Sequence, residues 1–253
     1  MFVKVPFLPT SRVTHIILDK NAPIEFIQNV IKLNIIPILS AKIENIMQSV
    51  SSHPDMQLHH IGKNTIICEP SVFNHYNMLL TSLGFKVISG FSRLNCNYPN
   101  DIAYNISRIG NIVMHNISNT EGRILEYYTN KNFRIIDTKQ GYTKCATCIV
   151  AENAVITSDV GIAKQLMANG VDVLQINVGE ISLSGMEYGF IGGTCGFIDK
   201  NLLAFCGKIE NHSSYKEMKS FTDKYLVDII SLYDGELTDI GSVIPIMQAT
   251  HNK

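Results

Sequence analysis

Ile61-Gly62-Lys63-Asn64-Thr65-Ile66-Ile67-Cys68-Glu69-Pro70-Ser71 is the stretch whose reading decides the fold. It runs from a tight turn into a short apolar strand and on to a helix start. The same order returns three more times. The turn asparagines are Asn64, Asn111, Asn153 and Asn201, spaced 47, 42 and 48 residues apart. Asparagine tolerates the positive φ of tight hairpins. Apolar strands follow at 65–68, 112–115, 154–157 and 202–206. Helix starts come next, at Pro70-Ser71, Thr120-Glu121, Ser158-Asp159 and Ser213-Ser214. Proline suits the first helical position, and Ser, Thr and Asp satisfy its free N–H groups. Apolar stripes such as Val72, Tyr76, Leu80 and Leu83 have helical spacing, and Gly84 and Gly170 act as stops. A further strand begins near 85, 133, 171 and 227.

One unit therefore reads strand, turn, strand, helix, strand. Four complete units fall at about 56–90, 101–138, 144–178 and 193–234. The N-terminus has a strand (14–18), a helix (23–33) and a strand (35–39), but no first strand. The C-terminus holds a lone strand, 242–247. Pairing that strand with 14–18 makes a fifth unit from 13–40 plus 242–247. The ring then closes with no free sheet edge. The expected architecture is α/β: a five-unit ββαβ propeller in one domain over 1–253, with helices outside and strands toward the axis. A layered sheet also alternates strands and helices. It gives no reason for near-constant hairpin spacing or an unpaired strand at each end.

With 253 residues, 45% of them hydrophobic, the chain can bury a large core. The 21 basic and 22 acidic residues argue against nucleic acid or an anionic membrane as partner. No apolar stretch approaches the roughly 18 residues that span a bilayer. Residues 1–12 have no apolar run of signal-peptide type, so a cytoplasmic location is expected. Six cysteines are too few for a disulfide scaffold at this length. Cys68 and Cys206 fall in strand patterns and read as core.

Four segments carry a family resemblance: Tyr98-Pro99-Asn100-Asp101, Gln140-Gly141-Tyr142-Thr143-Lys144-Cys145, Tyr188-Gly189-Phe190-Ile191-Gly192-Gly193 and Asp239-Ile240-Gly241-Ser242. They resemble an uncharacterised bacterial family with the guanidino-group-modifying-enzyme (pentein) fold. Arginine deiminases, dimethylarginine hydrolases and amidinotransferases share that five-unit ring. The resemblance runs from about 13 to 247 and implies the fold. Each segment lies just before, or opens, the first strand of a unit. The repeat register thus brings all four to one mouth of the central channel, where loops on a rigid scaffold can build a small-molecule site.

Attack on a guanidinium carbon needs a thiolate, a proton-moving histidine and carboxylates that hold the planar cation. The resemblance places the enzymes' cysteine where this chain has Ile244 or Pro245. It places their histidine at Gly192-Gly193-Thr194-Cys195, which has none. Cys145 is then the candidate nucleophile, with Lys144 beside it to lower the thiol pKa. Asp101, Asp239 and Glu187 are candidates to hold a small cationic or amidine-like ligand. Asn100, Tyr142, Tyr188 and Ser242 surround them, with Gly192, Gly193 and Cys195. Asp101 and Asp239 serve equally as turn caps, and Gly192-Gly193 as a tight turn. Cys96, Cys145 and Cys195 could meet as a thiol or metal site, or simply fill crowded channel positions.

Cys145 and Cys148, three apart on an extended strand, would face opposite ways. No second pair follows at zinc-finger spacing, so no structural zinc site is expected, and no cofactor is expected either. His212 follows the second strand of its unit and is expected at the opposite end of the ring. The other histidines, His53 and His251 among them, show no metal-ligand spacing beyond an adjacent pair. The connection 177–193 is long enough to cover the mouth. Two functions stay open: a small-molecule site acting through Cys145, and a non-catalytic protein-binding ring like that of ribosome anti-association factors.

Overall fold

A computed structural model describes residues 1–250; His251 lies outside the described residues. The four apolar runs after the turn asparagines become the middle strands of four three-stranded sheets, and the first strand of the chain becomes the middle strand of a fifth. The first unit holds β1 (Val13–Leu18), helix α1 (Ile24–Lys32) and β2 (Ile36–Leu39). After a short helix α2 (Pro54–Gln57), the second has β3 (Leu58–Gly62), β4 (Thr65–Cys68), α3 (Phe73–Thr81) and β5 (Lys86–Ser89). The third has β6 (Ser107–Ile109), β7 (Ile112–His115), α4 (Gly122–Asn130) and β8 (Arg134–Asp137). The fourth has β9 (Cys148–Ala151), β10 (Ala154–Thr157), α5 (Val160–Ala168) and β11 (Asp172–Gln175). The fifth has β12 (Cys195–Asp199), β13 (Leu202–Phe205), α6 (Tyr215–Lys224) and β14 (Asp228–Ser231). The last strand, β15 (Ile244–Gln248), pairs antiparallel with β1 and completes the first unit. It starts two residues later than expected, because Gly241 and Ser242 turn the chain with φ of 65° and 76°.

In every sheet the middle strand runs antiparallel to the first and parallel to the third. β7 and β10 are buried along their whole length, whereas the third strands are partly exposed. The helix inside each unit buries one face, α1 through Phe26 and Val30 and α4 through Ile124 and Tyr128.

Two local expectations change. Positive φ falls on Gly62, Lys63 and Gly110, not on the turn asparagines. What recurs at those asparagines is a backbone bond. The carbonyls of Asn64, Asn111, Asn153 and Asn201 accept from the N–H of Lys86, Arg134, Asp172 and Asp228, at 2.7, 2.9, 2.8 and 2.8 Å. Each bond ties the start of a third strand to the hairpin of its own unit. Acidic side chains also do most of the helix capping. Glu69 accepts from Ser71 N, Glu121 from Arg123 N and Asp159 from Ile162 N.

The strand senses position the site. A first strand leaves the mouth, the second returns to it, and the third, parallel to the second, ends there too. Every between-unit connection therefore lies on one side, and the hairpin turns lie on the other. No helix among the described residues is long and apolar enough to cross a membrane.

Candidate functional site

Five segments, one before each first strand, are hydrogen-bonded in a circle. Asp55 N donates to Gly241 O (3.3 Å), Ser242 N to Gly193 O (2.8 Å) and Gly193 N to Cys145 O (3.0 Å). Lys144 N donates to Asn105 O (3.3 Å), and Asn105 Nδ2 reaches Asp55 O at 3.4 Å. Glycine is needed where these segments touch. A Cβ on Gly192 would lie 2.3 Å from Thr147 O, and one on Gly193 would lie 1.9 Å from Asp239 Oδ1. Gly192 and Gly193 thus let neighbouring segments approach each other, and neither lines a ligand space.

The chain turns at Cys145 where an extended strand was expected, and β9 begins only at Cys148. Asn105 stabilises the turn. Its Oδ1 accepts from Lys144 N (2.9 Å) and Cys145 N (3.1 Å), and its Nδ2 donates to Cys145 Sγ (2.9 Å). The thiol donates to Asp55 Oδ2 at 3.1 Å, and Ser242 Oγ donates to the same oxygen at 2.5 Å. Asp55 Oδ1 is buried without a partner among the described residues.

Lys144 was expected to activate this thiol directly. Its ammonium instead donates to Ser242 Oγ (2.8 Å) and Gly192 O (3.1 Å) and lies over the Phe7 ring. Burial, then the charges of Asp55 and Asp239, push the Cys145 thiol well above its usual range. The resting group is therefore the protonated thiol.

His53 is 2% exposed, with Nδ1 3.8 Å from Asp239 Oδ1 and Nε2 3.7 Å from Asp19 Oδ2. Gly241 packs onto it so closely that a Cβ would sit 2.3 Å from His53 Cβ. Asp239 accepts from Phe190 N and Gly241 N, both at 2.9 Å. Its own pKa is raised by burial, against the pull of His53.

Cys145, His53, Asp239 and Glu187 line one cavity of about 230 Å³. Tyr142, Tyr188 and Phe190 supply its aromatic wall, and Met47, Met56 and Met186 much of the rest. The connection 177–193 contributes to the cavity wall through Leu183, Met186, Glu187, Tyr188 and Phe190. A second cavity, of about 910 Å³, shares Met47, His53, Leu183, Met186 and Asp239 with the first.

Other expected site residues fall elsewhere. Asp101 is fully buried behind the wall, where Tyr142 OH donates to its Oδ2 at 2.6 Å. It positions Tyr142 and does not face the cavity. Asn100 is exposed and closes a turn through its backbone N–H to Asn97 O. Lys144 and Ser242 stand behind Cys145, joined to it through Asp55. Cys195 is buried against Cys148, and Cys96 is exposed, so the three thiols do not gather. Among the described residues no group of three or more His, Cys, Asp or Glu is placed to hold a metal. His212 is a correction. Its antiparallel hairpin returns the chain to the mouth, where His212 lines a separate cavity shared with Glu180 and Glu187.

His53, Asp55, Asn105 and Asp19 were missed. The signal for His53 and Asp55 was present: Ser52-His53-Pro54-Asp55 holds, before β3, the place that the four quoted segments hold in the other units. Asp19 follows β1, a second-type strand that returns to the mouth.

Five ββαβ units in a closed ring, with their connections gathered at one mouth, define the pentein class of α/β propellers. Solved structures agree on the fold. SxtG, an amidinotransferase of the saxitoxin biosynthetic pathway from Microseira wollei, aligns with a TM-score of 0.59 at 10% identity, covering 100% of this chain and 99% of that one. The inosamine-phosphate amidinotransferase StrB1 from Streptomyces griseus gives 0.59 at 10% identity, covering 99% and 98%. Agmatine deiminase from C. jejuni gives 0.56 at 11%, covering 94% of each chain. Within that class, the chain belongs to the family of unknown function DUF6873, whose model matches residues 17–244. No curated protein matches it.

Proposed function

We propose that the mouth cavity binds a small planar cation, an amidinium or guanidinium group, and that Cys145 attacks its central carbon. The observation that carries this reading is the single wall uniting Cys145, His53 and Asp239. Among the described residues, no lysine or arginine lines the cavity. Carboxylates can hold the cation's N–H groups, and the faces of Tyr142, Tyr188 and Phe190 favour positive charge. The same cation would activate the thiol. It would offset the carboxylate charge that keeps Cys145 protonated, and Asp55 already accepts from the S–H. Asp55 would take the S–H proton as sulfur adds to the amidine carbon. The C–N bond would then break with a proton passing from His53, in the same wall, to the departing amine, and water would release the amidino group from sulfur. Amidinotransferases and deiminases of the same fold support chemistry at amidine carbon.

The test pairs two alkylating agents of equal size, chloroacetamidine (cationic) and chloroacetamide (neutral), read by intact mass and peptide mapping. Cys145 should react at least ten times faster with the cationic reagent, and Asp239→Asn should remove the preference. Exposed Cys96 is the internal control. Equal rates, with label only on Cys96, would contradict the reading and fit a ring that binds partners without chemistry.

A further inference from the structure

Beyond His53 the site continues into the second, larger cavity, and the two together restrict what a ligand can carry. The larger cavity is lined by hydrogen-bonding side chains, among them Asn21, Gln48, Ser52, Tyr233 and Thr238. Its charged groups are Asp19 and Asp239, with the imidazole of His53 between them. Among the described residues, no lysine or arginine stands in the wall of either cavity. Lys144, the nearest buried ammonium, is turned away toward Ser242 and Gly192.

Beyond the cationic head beside Cys145, a ligand's tail either stays in the first cavity, near Glu187, or continues past His53 into the second. In either place a carboxylate or phosphate meets the repulsion of neighbouring carboxylates, with no lysine or arginine among the described lining residues to offset it. Ammonium and hydroxyl groups meet acceptors instead.

Resting on the reading above, we propose that the substrate class is a guanidinium or amidinium compound with an ammonium or neutral hydroxyl tail. Compounds with an anionic tail, including α-amino acids that keep their carboxylate, are excluded.

Three four-carbon guanidines of matched length test this: agmatine (ammonium tail), 4-hydroxybutylguanidine (neutral) and 4-guanidinobutyrate (carboxylate). Methylguanidine serves as the head alone. Each is titrated as protection of Cys145 against chloroacetamidine, which must occupy the same cation site. Agmatine and the hydroxy compound should protect at concentrations at least tenfold below those needed for 4-guanidinobutyrate. Asp19→Asn should weaken agmatine selectively. Ser184→Lys, on the exposed rim of the larger cavity, should bring 4-guanidinobutyrate level with agmatine or ahead of it. Protection by methylguanidine with no ranking among the tails overturns this inference and leaves the function reading standing. Failure of all four compounds overturns both.

Discussion

At Cys145 the structure turns the sequence expectation round. Proximity in sequence to Lys144 promised an activated thiolate. In space the thiol faces Asp55 and lies near Asp239, and both raise its pKa. Removing one of those charges should therefore make it more acidic. Asp55→Asn is expected to speed alkylation of Cys145 by neutral chloroacetamide at pH 8 several-fold and to move the pH–rate curve to lower pH. An unchanged curve would show that the thiol proton is not held by Asp55. The residues that matter here were unevenly legible. Cys145, Asp239, Tyr142 and Tyr188 lay in segments whose register pointed to the mouth, and Glu187 directly precedes one of them. His53 stood in the equivalent position of the second unit but was read only for metal spacing. Asn105 had no local signal, because it bonds to Cys145 across 40 residues of sequence and two units.

Among elements, middle strands were easiest to place. Their apolar runs are short and bounded by turns, so 65–68, 112–115 and 154–157 match β4, β7 and β10 residue for residue. Strand sense was the weaker inference. A hairpin's second strand returns to the side from which the first departed, and that fact moves His212 and Asp19 to the mouth. The mouth segments pack with no room to spare. Gly193→Ala puts a methyl group 1.9 Å from a buried Asp239 oxygen. Overpacking of this kind costs roughly 1–3 kcal/mol. The variant should lower the melting temperature and also erase the preference of Cys145 for the cationic alkylating agent. A stability loss with the preference kept would place Asp239 outside the recognition step.

For the whole molecule, closure depends on β15 lying against β1, with Met1 and Val3 bonded along its other flank. A chain ending at Val243 should lose its cooperative thermal transition, because β1 is left as an open edge and the Gly241–Ser242 turn loses its anchor. Retention of the full transition would mean that the ring does not depend on that pairing.

Acid should also weaken the fold. Burial pushes His60 and His115 down to about 4 from 6.5. The unfolded chain takes up these protons below pH 6.5, while the folded chain resists them until about pH 4. Stability is thus complete above pH 6.5 and falls between 6.5 and 4, by about 3 kcal/mol per histidine at most. Chemical denaturation followed across that range should show the decline, and His115→Gln should flatten it.

The proposed function rests on four distant connections meeting round one cavity, with the fifth supporting Cys145 through Asn105, and on that cavity taking a planar cation. A crystal structure determined in the presence of an amidinium ion tests that directly. Planar density between Asp239 and the aromatic wall, within reach of Cys145 Sγ and with His53 beside it, is the predicted result. A cavity that stays empty at saturating amidinium, or mouth segments that stand apart from one another, would contradict it.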